Sequence, residues 1–143
     1  MINMPLFKWT KAHAVFVSEM DAHHRNLFVM ADELHRAILD GADTPRVLEL
    51  FKSLMAAAED HFAYEERLMR SSEYSAYQWH KQQHDTVRKR ADQFLPRIES
   101  GEKEASMLLL EFLSGWLRDH TGLTDRMFGA HLRNYYRLQA LAS

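Results

Sequence analysis

Nine histidines stand in a chain of 143 residues, and five of them fall, with two carboxylates, at spacings that suit metal ligation. Imidazole is the commonest metal-binding side chain. His61 and Glu65 are four residues apart, as are His80 and His84, so each pair shares one face of a helix. His24 and His120 stand alone, and Asp125 follows His120 by five. There is no cysteine, which excludes thiolate metal sites, disulfides and cysteine nucleophiles. Five imidazoles and two carboxylates exceed what one ion takes. Imidazole suits iron, zinc, copper or nickel, and the lack of thiolates disfavours structural zinc. Two octahedral ions offer about twelve positions. Five histidines, two bridging carboxylates and one bridging oxygen would fill about eleven of them. The one position left open suits end-on capture of a small diatomic molecule.

The elements that must position these groups read as helices throughout, with no strand alternation. The first is expected from Ser18, where Ser18 and Asp21 have capping-box spacing, to near Gly41. The second is expected from a Thr44-Pro45 cap to about Arg70, and the third from near Ser75, with Gln78 completing its cap, to Ser100-Gly101. Pro96 should end or kink the third helix early. The fourth is expected from Lys103 to Met127, followed by a short helical tail. Short loops between long helices predict an all-α, up-down-up-down four-helix bundle. The expected organisation is a single domain over 1–143. An apolar arm occupies 1–17 (Leu6, Phe7, Trp9, Val15, Phe16, Val17), the bundle 18–127 and the tail 128–143.

Stepping four and three along each helix gives the inward stripes. They read Met20, His24, Leu27, Ala31, Leu34, Ile38; then Val47, Phe51, Leu54, Ala58, His61, Glu65, Leu68. The third is Tyr77, His80, His84, Val87, Ala91, Phe94, Ile98, and the fourth Leu109, Leu113, Trp116, His120, Leu123, Met127. Every stripe is interrupted by histidine. One buried polar group without a partner costs about 2–7 kcal/mol, against a net stability of about 5–15 kcal/mol for a whole domain. The groups need a shared partner, and a metal centre supplies it. Their positions near alternate helix ends place them all at one end of the bundle. Asp125 lies off the inward stripe of a regular helix, so a π-bulge or loosened turn around Gly122 is expected to swing it inward.

Four fragments in order now carry a family resemblance: Asp21-x-x-His24-x-x-Leu27, His61-Phe62-x-x-Glu65-Glu66-x-x-Met69, His80-x-x-x-His84, and Trp116-Leu117-x-x-His120-x-x-x-x-Asp125. Together they resemble the hemerythrin family, specifically its single-domain bacterial-type members, from Trp9 to the end of the fourth helix. The resemblance implies a non-haem diiron centre bridged by Glu65, Asp125 and an oxo or hydroxo group. His80, His84 and His120 would serve one iron and His24 and His61 the open one, which takes up dioxygen reversibly. Trp116, Leu117 and Thr121 would lie at the oxygen pocket. The chain departs from the family's pattern at Phe16, where glycine is common, at His23, where glutamine is common, and at Thr121, where an aliphatic residue is common. A hydroxyl at 121 is expected to admit water and speed oxidation.

The function expected is an oxygen carrier, store, supplier or sensor rather than an enzyme. The alternative is a diiron enzyme, a peroxidase, oxidase or nitric-oxide-handling protein, using the same ligands; a metal store or structural bundle is a third class. Ferritin-like centres use glutamates with Glu-x-x-His pairs, absent from these stripes. A histidine-rich set puts less anionic charge on the metals, which tilts the chemistry toward binding over oxygen activation. Dioxygen, with nitric oxide or peroxide as further candidates, is the expected partner. A net charge of −2 selects neither nucleic acid nor an anionic membrane. Arg88, Lys89 and Arg90 read as a solvated helix face. No apolar stretch is long enough for a signal peptide or membrane span, so the cytoplasm is the expected compartment. His13, His23, His35 and His131 read as surface or hydrogen-bonded histidines, and Tyr74 and Tyr77 as helix packing.

Overall fold

The computed structural model describes residues 7–142; Leu6 of the expected arm and Ser143 of the tail lie outside them. A 3-10 turn at Lys11–His13 precedes four helical rods: α1 (Ser18–Leu39), α2 (Thr44–Ser71), α3 (Tyr77–Glu99), and a fourth in three parts. These parts are α4 (Lys103–Asp119), a π-helical turn (His120–Thr124) and α5 (Asp125–Ala142). Consecutive rods pack side by side and α1 closes the ring on α4, giving the up-down-up-down bundle. Leu34, Phe51, Leu54, Phe94, Leu109 and Leu113 fill its lower part. Val15, Met20, Met69, Phe128 and Leu132 form a smaller cluster above the site, between the arm and α5.

The helix ends are set by groups one residue away from those expected. The α1 N-cap is Val17, without a side-chain bond. Asp21 does not box Ser18; its carboxylate accepts the backbone N–H groups of Val15 (2.8 Å) and Phe16 (3.1 Å), turning the arm back over the bundle. Asp43, not Thr44, caps α2 by accepting from Arg46 N, which moves Pro45 one place further in. The α3 cap is Ala76, also without a side-chain bond, so neither Ser75 nor Gln78 plays the expected part. Pro96 does not end α3, which continues to Glu99. Its ring removes one late hydrogen bond, and closure is left to Gly101, whose φ of 75° lets the N–H groups of Gly101 and Glu102 reach back to Ile98 and Arg97.

The largest departure lies in the fourth rod. The widened turn was expected, but its effect on later residues was not. Leu123 and Met127, read as inward, are 58% and 46% exposed, while Thr124, Asp125, Phe128 and Leu132 are buried. A π turn adds a residue to the helical circuit, so every position beyond it is rotated relative to a regular continuation. The helical tail expected after Met127 is present as the later part of an 18-residue helix that runs on from the turn.

The arm is held where it crosses α5. Gly129 is needed there: a Cβ would lie 2.7 Å from the Val15 carbonyl oxygen. Arg133 donates to that oxygen and Arg126 to those of Ala12 and Ala14. Phe16, where glycine is common in the family it resembles, has φ of +62° with its side chain exposed. This strained geometry costs about 1–3 kcal/mol, offset by the bonds on the Val15–Phe16 peptide that precedes it, whose N–H reaches Asp21 and whose carbonyl accepts from Arg133.

Candidate metal centre

Each rod contributes its histidines at the same level because each stripe places them there. His24 projects from the first turns of α1, His61 and Glu65 from the last turns of α2, His80 and His84 from the start of α3. His120 opens the π turn, and the rotation through that turn brings Asp125, the first residue of α5, to the same centre. All seven side chains are buried.

Their polar atoms converge on one another from all four rods. His24 Nε2 is 2.6 Å from Asp125 Oδ2 and 3.2 Å from His61 Nε2. His120 Nε2 is 2.8 Å from Asp125 Oδ2 and 3.2 Å from Glu65 Oε1. His80 Nε2 is 2.7 Å from Glu65 Oε2 and 2.9 Å from Asp125 Oδ1, and His84 Nε2 is 3.7 Å from Glu65 Oε2. Yet His80 Nε2, His84 Nε2, Glu65 Oε2 and Asp125 Oδ1 make no aligned hydrogen bond. Buried polar atoms without partners are costly. Here they point at shared space, as donors around a cation do. They fall into two groups whose atoms all lie within 4.8 Å of one another: His24, His61, Glu65, His120 and Asp125, and Glu65, His80, His84, His120 and Asp125. Nitrogen and carboxylate donors without thiolate fit a transition-metal pair.

Burial lowers the basicity of His61, His80 and His120, but the two carboxylates outweigh it and lift them to about 9, 9 and 10. Burial raises Glu65, and the imidazoles of His61 and His120 overcome it, holding the carboxyl well below its ordinary value. Asp125, raised by burial and by Glu65, is held well below by His120 and His24. For His24 burial prevails and its pKa is lowered.

A second layer orients these groups, and most of it escaped the sequence reading. Glu66 accepts from His84 Nδ1 (2.8 Å) and from Arg88 (2.9 Å), while Arg88 also grips Glu59 and Asp85. Arg88 is therefore part of an ion-pair network rather than the solvated face expected of it. The usable signal was its place four residues after His84, where one carboxylate on α2 can meet both. Phe62 stacks on His84 at 4.1 Å. On the opposite side His23 Nδ1 lies 3.0 Å from His61 Nδ1, and His131 reaches the Ser72 carbonyl. Trp116 and Leu117 are buried within a turn of His120. Thr121, fully buried, donates to the Leu117 carbonyl (2.6 Å) and has His13 Nδ1 at 3.3 Å. Tyr74 packs on Phe128 and His131.

A family model described as the hemerythrin HHE cation binding domain matches residues 15–132. The chain belongs to the hemerythrin family. Among the relatives of this hemerythrin-family chain, a bacteriohemerythrin of Aquifex aeolicus is 32% identical over 108 residues, covering 74% of this chain and 82% of the relative. One of Stenotrophomonas maltophilia is 29% identical, with 94% and 89% covered. A myohemerythrin of Theromyzon tessulatum is 27% identical, with 83% and 88% covered. A crystal structure of a hemerythrin mutant superposes with a TM-score of 0.77 at 22% identity, over 90% of this chain and 98% of that one, and so shares the fold. No helix among the described residues is long and apolar enough to cross a membrane.

Proposed function

We propose that the chain holds two iron ions and, through them, binds dioxygen reversibly. The observation that carries this reading is the pair of donor groups with Glu65, His120 and Asp125 common to both: each carboxylate has an oxygen for either of two ions, whereas His120 has one inward nitrogen and would complete only one position. His80, His84 and His120 would complete one position and His24 and His61 the other, which leaves the second with fewer protein donors. Bound there, a ferrous pair would supply the two reducing equivalents that reversible uptake of dioxygen needs. Trp116, Leu117 and Thr121 are buried beside His120, so the surrounding chain screens the centre from bulk solvent on that side. Membership of a cation-binding family, and relatives named bacteriohemerythrin and myohemerythrin, support iron and dioxygen over the other imidazole-binding metals.

The test is anaerobic reconstitution with ferrous iron, metal analysis, then exposure to air with the visible spectrum recorded. Two irons per chain and a charge-transfer band that vanishes when oxygen is withdrawn are expected. Two irons with direct conversion to an oxidised spectrum insensitive to oxygen would replace reversible binding with an oxidase or sensor role. Failure to retain iron would remove the reading altogether.

A further inference from the structure

The rotation at the π turn leaves α5 apolar on two opposite sides. One side buries Asp125, Phe128, Gly129 and Leu132. On the other, Met127, Ala130, Asn134, Leu138 and Leu141 recur at steps of three and four and are all exposed, with Met127 at 46%, Leu138 at 50% and Leu141 at 73%. At about 100° per residue these five occupy about 80° of arc, nearly diametrically opposite the buried side. Leu123, also exposed, precedes them in the π turn. An apolar stripe this narrow and regular has the form of a coiled-coil seam, with one asparagine at its centre of the kind that fixes register.

Charge distinguishes the two edges. Arg126, Arg133 and Arg137 lie along one edge, and residues 126–143 contain no aspartate or glutamate. Among the described residues none of the three arginines is paired with a carboxylate: Arg126 and Arg133 hold arm carbonyls, and Arg137 donates to Asn134. The chain as a whole carries −2, so this positive edge is a local feature. We propose that the outer face of α5 docks an amphipathic helix of a partner protein, one that presents an apolar stripe flanked by acidic residues. A second α5 would bring arginines and no carboxylates, which disfavours self-pairing. A lipid surface would favour a broader apolar face than this seam, without asparagine at its centre.

The probe is a dye-labelled four-heptad peptide with leucine at the seam positions and glutamate at the flanking ones, titrated with the iron-loaded protein by fluorescence anisotropy. Its twin carries lysine at the flanks. The glutamate peptide is expected to bind at least about ten-fold tighter than the lysine peptide, with an affinity that falls as salt rises. Leu138→Asp with Leu141→Asp is expected to abolish binding, and Arg137→Glu, which disturbs neither arm nor site, to shift preference toward the lysine peptide. Circular dichroism and iron content are expected to match the parent, because the altered side chains are exposed. Equal binding of both peptides, no binding, or binding untouched by these substitutions would overturn the proposal. So would self-association through α5 in sedimentation equilibrium, or binding to phosphatidylserine vesicles without binding to the glutamate peptide.

Discussion

The two halves of the site share Glu65 and Asp125 yet differ in what stands behind their histidines. Behind His84 is Glu66, a carboxylate that Arg88 clamps while itself bonded to Glu59 and Asp85. Behind His61 is His23, whose pKa is lowered by burial and by the neighbouring imidazoles, so it faces His61 as a neutral acceptor. An anionic partner makes a ligand imidazole more basic and fixes its tautomer; a neutral one fixes the tautomer alone. On the proposed assignment, the three-histidine half is the firm one and the two-histidine half, bordered by Thr121 and His13, the yielding one. Two metals held by similar side chains can thus be unequal because of residues that touch neither.

The comparison is broken most severely by removing what the halves share. Glu65→Gln takes a bridging charge from both, so iron per chain is expected to fall from two to below one. In the metal-free protein it leaves buried imidazolium groups unpaired, costing about 3–5 kcal/mol in urea unfolding. A variant that kept both irons would show that Glu65 is no bridge. The next test separates the halves. Glu66→Gln is expected to weaken the tighter metal by about 10–100-fold in a competitive chelator titration. His23→Leu should weaken only the looser one, and His23→Gln should restore it, since an amide carbonyl still accepts from His61. A greater loss from His23→Leu than from Glu66→Gln would reverse the ranking of the halves.

Protonation sharpens the contrast. Without metal, His61, His80 and His120 titrate at about 9, 9 and 10 and are charged near neutrality. Metal needs them neutral, so loading near pH 7 should release about three protons, and affinity should climb up to about pH 9–10. Calorimetry in two buffers of different ionisation enthalpy measures this, and release of no proton would contradict it. The raised histidines stabilise the metal-free fold fully below about pH 6.5, and that contribution disappears as pH rises through 9 to 10. Glu65 and Asp125, held low, contribute above about pH 4, and their contribution is lost in acid. The metal-free protein should therefore unfold most readily at either extreme. The smallest effect expected is at Thr121: Thr121→Ile should oxidise in air a few-fold more slowly than the parent, followed in the visible spectrum. An equal or faster rate would acquit the hydroxyl.

Helix phase explains what the sequence made legible. His24, His61, Glu65, His80, His84 and His120 could be located because a regular stripe carries each, and Asp125 because its misplacement demanded a wider turn. Leu123 and Met127 were misplaced by extending that same phase through the turn. Caps shifted by one residue because Asp43 rather than Thr44 takes the Arg46 N–H, and because the carboxylate of Asp21 is committed to Val15 and Phe16 of the arm rather than to Ser18. Glu66 and His23 lie off the inward stripes, where stripe spacing carries no signal, and Arg88 signalled itself only by standing four residues after His84; the approach of neighbouring helices gives all three their partners.

Counted in codons, the π turn is a single residue more than a regular helix needs between His120 and Asp125. Removing one, at Gly122 for instance, would leave every later side chain unchanged in kind but turn α5 by about 100°. The aspartate would leave the centre, and Met127 would move off the outer face. One in-frame triplet thus separates a chain with a metal-binding interior and a sticky exterior from one with neither.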